Sequence, residues 1–517
     1  MTTFRRLVAV PALVAGLLAG ATPALADGRL PLNSTGIPSR FADQRLAWHP
    51  CTLADLSLPP TDPTDITGME CSTFRAPRDW ARPRAEPETT VAISRLRATG
   101  EATASLFTNP GGHGGPGRSM PTMLRGQTKL RQHQDVIGID VRGTGKSENI
   151  TCGGKTPFAA DPYDRSPANL NRIVDSVADY ARTCQQASGE FGKHVTTAQT
   201  IRDLDLLRVL LGRDKINYLG YSGGTWLGPQ YAQQFPRRTG RFVVDSAVDF
   251  TADWQTFRDS QAASYERRWR QDFLPWLAKY DARYHFGATA EQALANHREL
   301  RAALTREPVV VDGEKFDQLA LDGTVILAMY KKASFIPLAE RLAQVKALAE
   351  GRAAAPAPAA ARLAQAAAAT PDAATATLWA TLCNDTPWTG DRESVLRRSQ
   401  ENFDRGHTIL GAYWLQSQTC VFWRRPHRPV PVLDGKGVPP VLVVQSEHDA
   451  ATGWEGAARA HARFRNSRMI TVTGEGDHGL YADGNAALDE VVDAFLVDGV
   501  VPADQEQPGM PLPVPGA

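Results

Sequence analysis

One stretch decides the fold, Lys215-Ile216-Asn217-Tyr218-Leu219-Gly220-Tyr221-Ser222-Gly223-Gly224-Thr225-Trp226. Its apolar first half predicts a buried strand, and the residues that follow it predict a helix. The G-x-S-x-G pattern between the two predicts a sharp turn that holds Ser222 in strained backbone, with small residues on both sides to avoid collisions. Such a turn projects a serine hydroxyl into a cleft, so Ser222 is the candidate nucleophile.

A serine hydroxyl is a poor nucleophile at neutral pH and needs a base, together with an acid that orients the base. The candidate acid Asp449 follows the apolar strand predicted at 441–444, and the candidate base His478 follows the strand predicted at 469–473. Loops at the carboxyl ends of such strands carry ligand-binding groups. Two further acids lie close in the sequence and remain alternatives, Glu447 and Asp477.

A glycine-rich segment follows an earlier predicted strand, Asn109-Pro110-Gly111-Gly112-His113-Gly114-Gly115-Pro116-Gly117. A tetrahedral oxyanion needs main-chain N–H groups that are fixed in advance, and glycines let the main chain approach closely. We expect Gly112 and Gly223 to supply the two donors. Gly111 and Gly115 remain alternatives to Gly112. The competing interpretation is a phosphate-binding loop, but this segment lacks the lysine of a Walker motif.

The composition is that of an ordinary globular protein, with 42% hydrophobic residues and a formal net charge of +1 from 57 basic and 56 acidic side chains. No overall field therefore favours nucleic acid or a membrane surface. The first residues predict a signal peptide over 1–26, from two arginines, an apolar run and the cleavage pattern Ala24-Leu25-Ala26. We expect a secreted, extracellular protein that has no membrane association after cleavage.

Six cysteines follow the predicted cleavage point, and an even number in an exported protein predicts disulfides. Six cysteines allow fifteen pairings. The simplest hypothesis joins sequence neighbours, Cys51 to Cys71, Cys152 to Cys184 and Cys383 to Cys420. Metal binding is the alternative, but the chain has no C-x-x-C pair or close Cys/His cluster. We expect no metal and no organic cofactor.

Apolar strand-like segments alternate with helix-like ones, which predicts βαβ units and a parallel sheet buried on both faces. Helix-compatible stretches dominate the middle of the chain and predict an inserted cap. The predicted organisation is a first part of the core at 27–250, a cap at 251–437, a second part of the core at 438–500 and a proline-rich, extended and mobile tail at 501–517.

The glycine-rich loop, the string Asp140-Val141-Arg142-Gly143-Thr144-Gly145-Lys146-Ser147, the turn at Ser222, and the late Asp449 and His478 together resemble the prolyl-aminopeptidase-like branch of α/β-hydrolases. Secreted actinobacterial tripeptidyl aminopeptidases are the most similar group. The resemblance implies the α/β-hydrolase fold, a mostly parallel, doubly wound sheet with a large, mainly helical cap between core strands 6 and 7. It also implies a serine exopeptidase that releases short peptides, chiefly tripeptides, from free amino termini through an acyl-enzyme.

In that family, acidic cap residues hold the terminal ammonium of the peptide substrate. The resemblance makes three carboxylates candidates for this role, Asp385, Asp249 and Asp253. The chain departs from the family pattern at His113 and Pro116, where proline and serine are usual. It also has Ala450 after Asp449, where proline is common. These departures bear on the choice of substrate.

Two other functions use the same features. A carboxylesterase or lipase that acts on small esters needs the same triad, because the fold does not fix the substrate. A catalytically silent binding protein is a third interpretation, but it gives no reason for nucleophile, acid, base and oxyanion loop to be present together. The sequence does not predict the oligomeric state.

Overall fold

The computed structural model describes residues 36–84, 87–157, 160–352, 372–424 and 432–516. The predicted signal peptide at 1–26 lies outside the described residues. Among the described residues, no helix combines the length and the apolar character needed to cross a membrane.

A ten-stranded sheet forms the centre of the described chain. Its strands are β1 (His49–Pro50), β2 (Met69–Pro77), β3 (Glu88–Leu96), β4 (Ala104–Asn109), β5 (Gln134–Asp140), β6 (Ile216–Tyr221), β7 (Thr239–Asp245), β10 (Val441–Ser446), β11 (Ser467–Thr473) and β12 (Gln505–Pro508). A separate hairpin joins β8 (Val309–Val311) to β9 (Glu314–Phe316). The order across the sheet is β1-β2-β3-β5-β4-β6-β7-β10-β11-β12.

The sheet is antiparallel at one edge and parallel elsewhere. β3 runs antiparallel to both β2 and β5, whereas every neighbouring pair from β5 to β12 is parallel. The central strands β6 and β10 are buried at every position. Their side chains alternate between two apolar clusters, with Tyr218 in one and Leu219 in the other, because helices cover both faces. The predicted fold class is confirmed.

The helices before the insertion are α1 (Ser39–Ala42), α2 (Met120–Met123), α3 (Thr128–His133), α4 (Pro167–Ala187), α5 (Gly189–Gly192), α6 (Thr197–Leu210) and α7 (Gly224–Gln234), with a 3₁₀ turn at Pro236–Arg238. The last part of the core carries α17 (Trp454–Arg463) and α18 (Ala486–Asp493), with a π segment at Ala494–Asp498. Several of these helices begin at a side-chain cap, as Thr196 shows by accepting the N–H of Gln199 at the start of α6.

The segment between β7 and β10 is mainly helical. It holds α8 (Trp254–Arg267), α9 (Leu274–Lys279), α10 (Asp281–Tyr284), α11 (Ala290–Arg306), α12 (Gln318–Ala328), α13 (Phe335–Ala349), α14 (Ala373–Asp385), α15 (Arg392–Asp404) and α16 (Gly411–Gln416). A π segment lies at Arg268–Phe273, and 3₁₀ segments lie at Lys332–Ser334 and Ser417–Phe422. Counted from β2, β7 and β10 are the sixth and seventh core strands. The helical insertion therefore lies where the resemblance predicts, while the boundaries 251 and 437 stay predictions.

All six cysteines are paired as the neighbour hypothesis predicts. The Cα–Cα separations are 5.1 Å for Cys51–Cys71, 3.9 Å for Cys152–Cys184 and 4.8 Å for Cys383–Cys420. The last pair joins α14 to the 3₁₀ segment at Ser417–Phe422, both within the insertion. Three disulfides are compatible with an extracellular protein.

The proline-rich tail at 501–517, expected to be mobile, packs on the protein instead. Its strand β12 pairs in parallel with β11, from Ile470 opposite Gln505 to Thr473 opposite Pro508. Farther along, the indole N–H of Trp276 donates to the carbonyl of Pro513 at 2.7 Å. The sequence did not predict this packing, because the segment is polar and contains proline. Its pairing with a distant strand leaves no local pattern in the sequence.

Candidate active site

Ser222 occupies the turn between β6 and α7. Its φ of 53° lies in the left-handed region, which a non-glycine residue rarely adopts. The turn is crowded, because a Cβ at Gly220 would lie 2.6 Å from the carbonyl oxygen of Gly224, and a Cβ at Gly224 would lie 2.8 Å from Oδ1 of Asn109. The structure thus has the strained strand-to-helix turn that the sequence predicts, and the side chain of Ser222 is partly exposed.

The glycine-rich loop lies directly against this turn. The Gly111 N–H donates to Oδ1 of Asn109 at 2.9 Å, so it is already used within the loop. Among the described residues, neither the Gly112 N–H nor the Gly223 N–H has a hydrogen-bond acceptor. A Cβ at Gly223 would lie 3.1 Å from the nitrogen of Gly112, and Gly115 contributes none of the closest atoms there. Two unoccupied donors therefore lie next to the serine, which favours Gly112 over Gly111 and Gly115.

The structure brings Asp449 and His478 together at the carboxyl ends of β10 and β11. His478 Nδ1 lies 2.9 Å from Oδ2 of Asp449 and 3.1 Å from Oδ1. Asp449 is fully buried, and its carboxylate also accepts the N–H groups of Ala451 and Thr452 at 2.8 and 2.9 Å. The imidazole is partly exposed. A buried acid thus orients an accessible histidine through Nδ1, so that Nε2 is not used in the bond to the acid.

The two alternative acids are held elsewhere. Asp477 accepts a hydrogen bond from Nη2 of Arg268 at 2.9 Å and from the N–H of Lys332 at 2.6 Å. Glu447 is exposed and accepts the N–H of Gly474 at 2.8 Å. Among the described residues, only Asp449 places a carboxylate against the imidazole of His478.

Sequence reasoning missed Asp245 at the end of β7, which bonds both to the serine turn and to the loop that follows His478. Its main-chain oxygen accepts the N–H of Ser222 at 3.0 Å. Its carboxylate accepts the N–H of Leu480 at 3.0 Å and that of Tyr481 at 2.7 Å, in the loop that follows His478. Asp245 therefore fixes the distance between the serine turn and the histidine loop.

Asp245 also makes stability depend on pH. Burial raises the pKa of this carboxyl from 3.8 to about 6, against the opposing effect of its backbone hydrogen bonds. Because the pKa is raised in the folded protein, its contribution to stability is fully present below about pH 4 and is lost as pH rises through 6. We expect the free energy of unfolding of wild type, minus that of Asp245→Asn, to fall by about 2 kcal/mol between pH 4.5 and 7.5.

Urea denaturation of both proteins at each pH measures this difference. The asparagine variant does not titrate at this position, so it cancels the contribution of all other groups that titrate alike in the two proteins. A difference that stays constant or rises with pH would contradict the raised pKa.

His113 is a second residue whose position the sequence did not predict. Its φ is 49°, and its ring packs edge-on against Trp254 of α8 with centroids 4.3 Å apart. A Cβ at Gly223 would lie 2.8 Å from His113 Nε2, so the ring covers the start of α7. Burial, reinforced by the charge of Arg258, lowers the pKa of His113 to about 3. His113 is therefore a neutral part of the cleft wall at physiological pH.

The three ammonium candidates differ in how their charges are satisfied. Asp249 is 2% exposed and is ion-paired with Nε of Arg459 at 3.0 Å, so its charge is balanced within the protein. Asp385 is 8% exposed and accepts the N–H of Thr197 at 2.9 Å, at the start of α6. Asp253 is partly exposed and accepts the N–H of Thr256 at 2.7 Å, as the N-cap of α8. No described cation lies within ion-pair distance of Asp253, which is the most accessible of the three.

The chain is similar to known proteins over most of its length. A family model described as TAP-like protein matches residues 407–508. The tripeptidyl aminopeptidase of Streptomyces lividans is 33% identical over 478 residues, which cover 89% of this chain and 86% of that protein. Serine protease Hip1 of Mycobacterium tuberculosis is 28% identical, and the alignment covers 91% of this chain and 93% of that protein. Carboxylesterase B of the same organism is 28% identical, covering 95% and 94%.

Proposed function

Because the chain belongs to the family of the Streptomyces tripeptidyl aminopeptidases, which is built on the α/β-hydrolase fold, we propose that it is a secreted serine exopeptidase releasing tripeptides from free amino termini. The observation that carries the proposal is the buried hydrogen bond between Asp449 and His478, beside the strained turn that presents Ser222. Similarity to a serine protease over most of the chain supports peptide hydrolysis. The three disulfides and the predicted signal peptide support export.

The proposed reaction uses each group for one task. His478 takes the proton of Ser222 as the hydroxyl attacks a peptide carbonyl, and Asp449 orients the imidazole and stabilises its charged form. The N–H groups of Gly112 and Gly223 hold the oxyanion of the tetrahedral intermediate. His478 then protonates the leaving amine, and a water molecule activated by the same histidine releases the acyl group from the serine.

We assign the peptide ammonium to Asp253 rather than to Asp249 or Asp385. Asp253 is accessible and has no described counter-cation, whereas Asp249 is neutralised by Arg459. It also immediately precedes Trp254, whose ring contacts His113 in the oxyanion loop. A carboxylate at this position supports recognition of a chain end in the same cleft as the reacting carbonyl.

Substituting Asp253 by asparagine tests this assignment. The variant keeps an N-cap acceptor for Thr256 but removes the negative charge. We expect KM for trialanine p-nitroanilide with a free amino terminus to rise about 10- to 100-fold, with little change in kcat, because a charged hydrogen bond to the bound ammonium is lost. Hydrolysis of the N-acetylated substrate should not change. Steady-state kinetics on both substrates measure the effect.

Asp391→Asn provides the matched control. Asp391 is likewise an N-cap aspartate of an insertion helix, accepting the N–H of Ser394 at 2.9 Å. It should leave both KM values unchanged. An equal effect of Asp253→Asn on free and acetylated substrates would show that Asp253 does not bind the ammonium.

A carboxylesterase function is the second candidate, and the similarity to Carboxylesterase B over most of the chain is the observation that favours it. The same triad would attack an ester carbonyl without any change of residues. Comparing turnover of p-nitrophenyl acetate with that of the free tripeptide substrate separates the two. Ester hydrolysis without peptide hydrolysis would replace the exopeptidase proposal.

A further inference from the structure

One face of α8 runs alongside the candidate active site from the oxyanion loop to the histidine. Trp254 near its start contacts His113, and Tyr265 near its end packs against Tyr330 with centroids 6.1 Å apart. Tyr330 in turn packs edge-on against His478 at 5.3 Å. Positions 254, 258, 261 and 265 recur at helical spacing, so they share this face. The side chains of Arg258 and Gln261, which share this face, therefore lie between the oxyanion loop and the histidine loop.

Arg258 lies in the middle of this face. Its Nη1 donates to Oε1 of Gln261 at 2.9 Å, and Gln261 donates to the carbonyl of Ala451 at 2.8 Å, beside the loop that holds Asp449. Its guanidinium carbon lies 5.8 Å from the ring centroid of Trp379. Gln261 thus links the guanidinium to the loop that holds Asp449, and Arg258 remains partly exposed.

Arg258 has no acidic partner among the described residues. Other arginines of the insertion do have acidic partners: Arg268 pairs with Asp272 and Asp477, Arg301 with Asp161 and Asp322, and Arg398 with Asp259. Only the neutral Gln261 bonds to Arg258 in the described chain, and its buried Nε has no hydrogen-bond partner there. Arg258 is only partly exposed, its Nε is shielded from water, and it has no described counter-charge. Because an uncompensated charge in such a place is costly, this position favours an anion that arrives with a ligand.

The surroundings support that assignment. Burial lowers the pKa of Arg258, and its charge helps to lower the pKa of His113 in the oxyanion loop. The positive charge therefore reaches the part of the cleft where a substrate carbonyl must bind. A planar guanidinium with free N–H groups matches a carboxylate, to which it can donate two parallel hydrogen bonds.

We propose that Arg258 is a specificity-determining residue that binds a carboxylate of the peptide substrate. The inference rests on the proposed exopeptidase function. Two parts of a peptide carry this group, an acidic side chain within the released segment and the carboxyl terminus of a short substrate. Because the positive charge repels an ammonium, the substrate amino terminus is kept away from Arg258.

Paired substrates distinguish the two sources. One arm compares Ala-Ala-Glu and Ala-Glu-Ala p-nitroanilides with their glutamine counterparts. The second arm compares tetraalanine with tetraalanine amide. We expect wild type to prefer the carboxylate in at least one arm by about 10- to 100-fold in kcat/KM. Arg258→Met should bring that ratio close to one while leaving the neutral substrate within a few-fold, and Arg258→Lys should retain part of the preference.

The control variant is Arg267→Met, because Arg267 lies on the same helix but is ion-paired with Glu455. It should keep the wild-type ratio. If neutral peptides are hydrolysed and neither arm shows a preference for a carboxylate, the inference about Arg258 is overturned but the exopeptidase proposal is not. A preference that survives Arg258→Met, or an equal loss on charged and neutral substrates in that variant, would overturn the inference in the same way. Absence of turnover for every peptide would instead reject the exopeptidase function, and the inference with it.

Discussion

Replacing Ser222 by alanine should lower kcat/KM for a free tripeptide p-nitroanilide by about a million-fold, because no covalent intermediate can form without the hydroxyl. Alanine and serine tolerate the left-handed backbone at this turn equally, so the folded structure should persist. Steady-state kinetics give the loss of activity, and thermal unfolding followed by circular dichroism confirms that the variant is folded.

Ser57→Ala is the matched control, because Ser57 is an exposed serine with a φ of 59°. It should keep full activity. A fluorophosphonate probe should label wild type and Ser57→Ala but not Ser222→Ala. Substantial peptide hydrolysis by Ser222→Ala, or labelling of that variant, would place the nucleophile elsewhere.

Replacing Asp449 by asparagine should lower kcat by about 10,000-fold with little change in KM. The amide keeps an acceptor for the N–H groups of Ala451 and Thr452, but it presents an N–H to Nδ1 of His478 and selects the wrong tautomer. The imidazolium formed during attack also loses its stabilising charge. Kinetics with the free tripeptide substrate measure this effect.

Asp477→Asn separates Asp449 from its strongest competitor. Asp477 is adjacent to His478 in sequence but is bound to Arg268 and Lys332. We expect the Asp477 substitution to lower the melting temperature, and to reduce kcat far less than Asp449→Asn does. If Asp477→Asn caused the larger loss of kcat and Asp449→Asn the smaller, the assignment of the acid would be wrong.

The sequence predicts the parts of this molecule that have a local signature. Continuous apolar runs gave the central strands, and the G-x-S-x-G turn gave the position of Ser222 at the end of β6. The mainly helical insertion was also visible, because long helix-compatible stretches replace strand runs between β7 and β10. Fold class and the candidate triad positions therefore follow from short-range patterns read in order.

Charge balance in the site could not be predicted, because it depends on partners far apart in the chain. Asp249 is neutralised by Arg459, 210 residues away, and Asp245 is bonded to main-chain groups 235 and 236 residues later. The lack of a described acidic partner for Arg258 could not be predicted either. Asp253 and Asp259 lie close to Arg258 in sequence, but its described hydrogen bond goes to Gln261. Only the packed structure shows which charges are paired.

The most direct measurement is a time course of peptide products by mass spectrometry. A nine-residue peptide with a free amino terminus, and the same peptide N-acetylated, are incubated with the mature protein and with Ser222→Ala. Successive loss of three residues from the free peptide only, abolished in the variant, is the predicted result. Equal cleavage of both peptides, or fragments from internal cuts, would contradict recognition of the free amino terminus and with it the proposed exopeptidase.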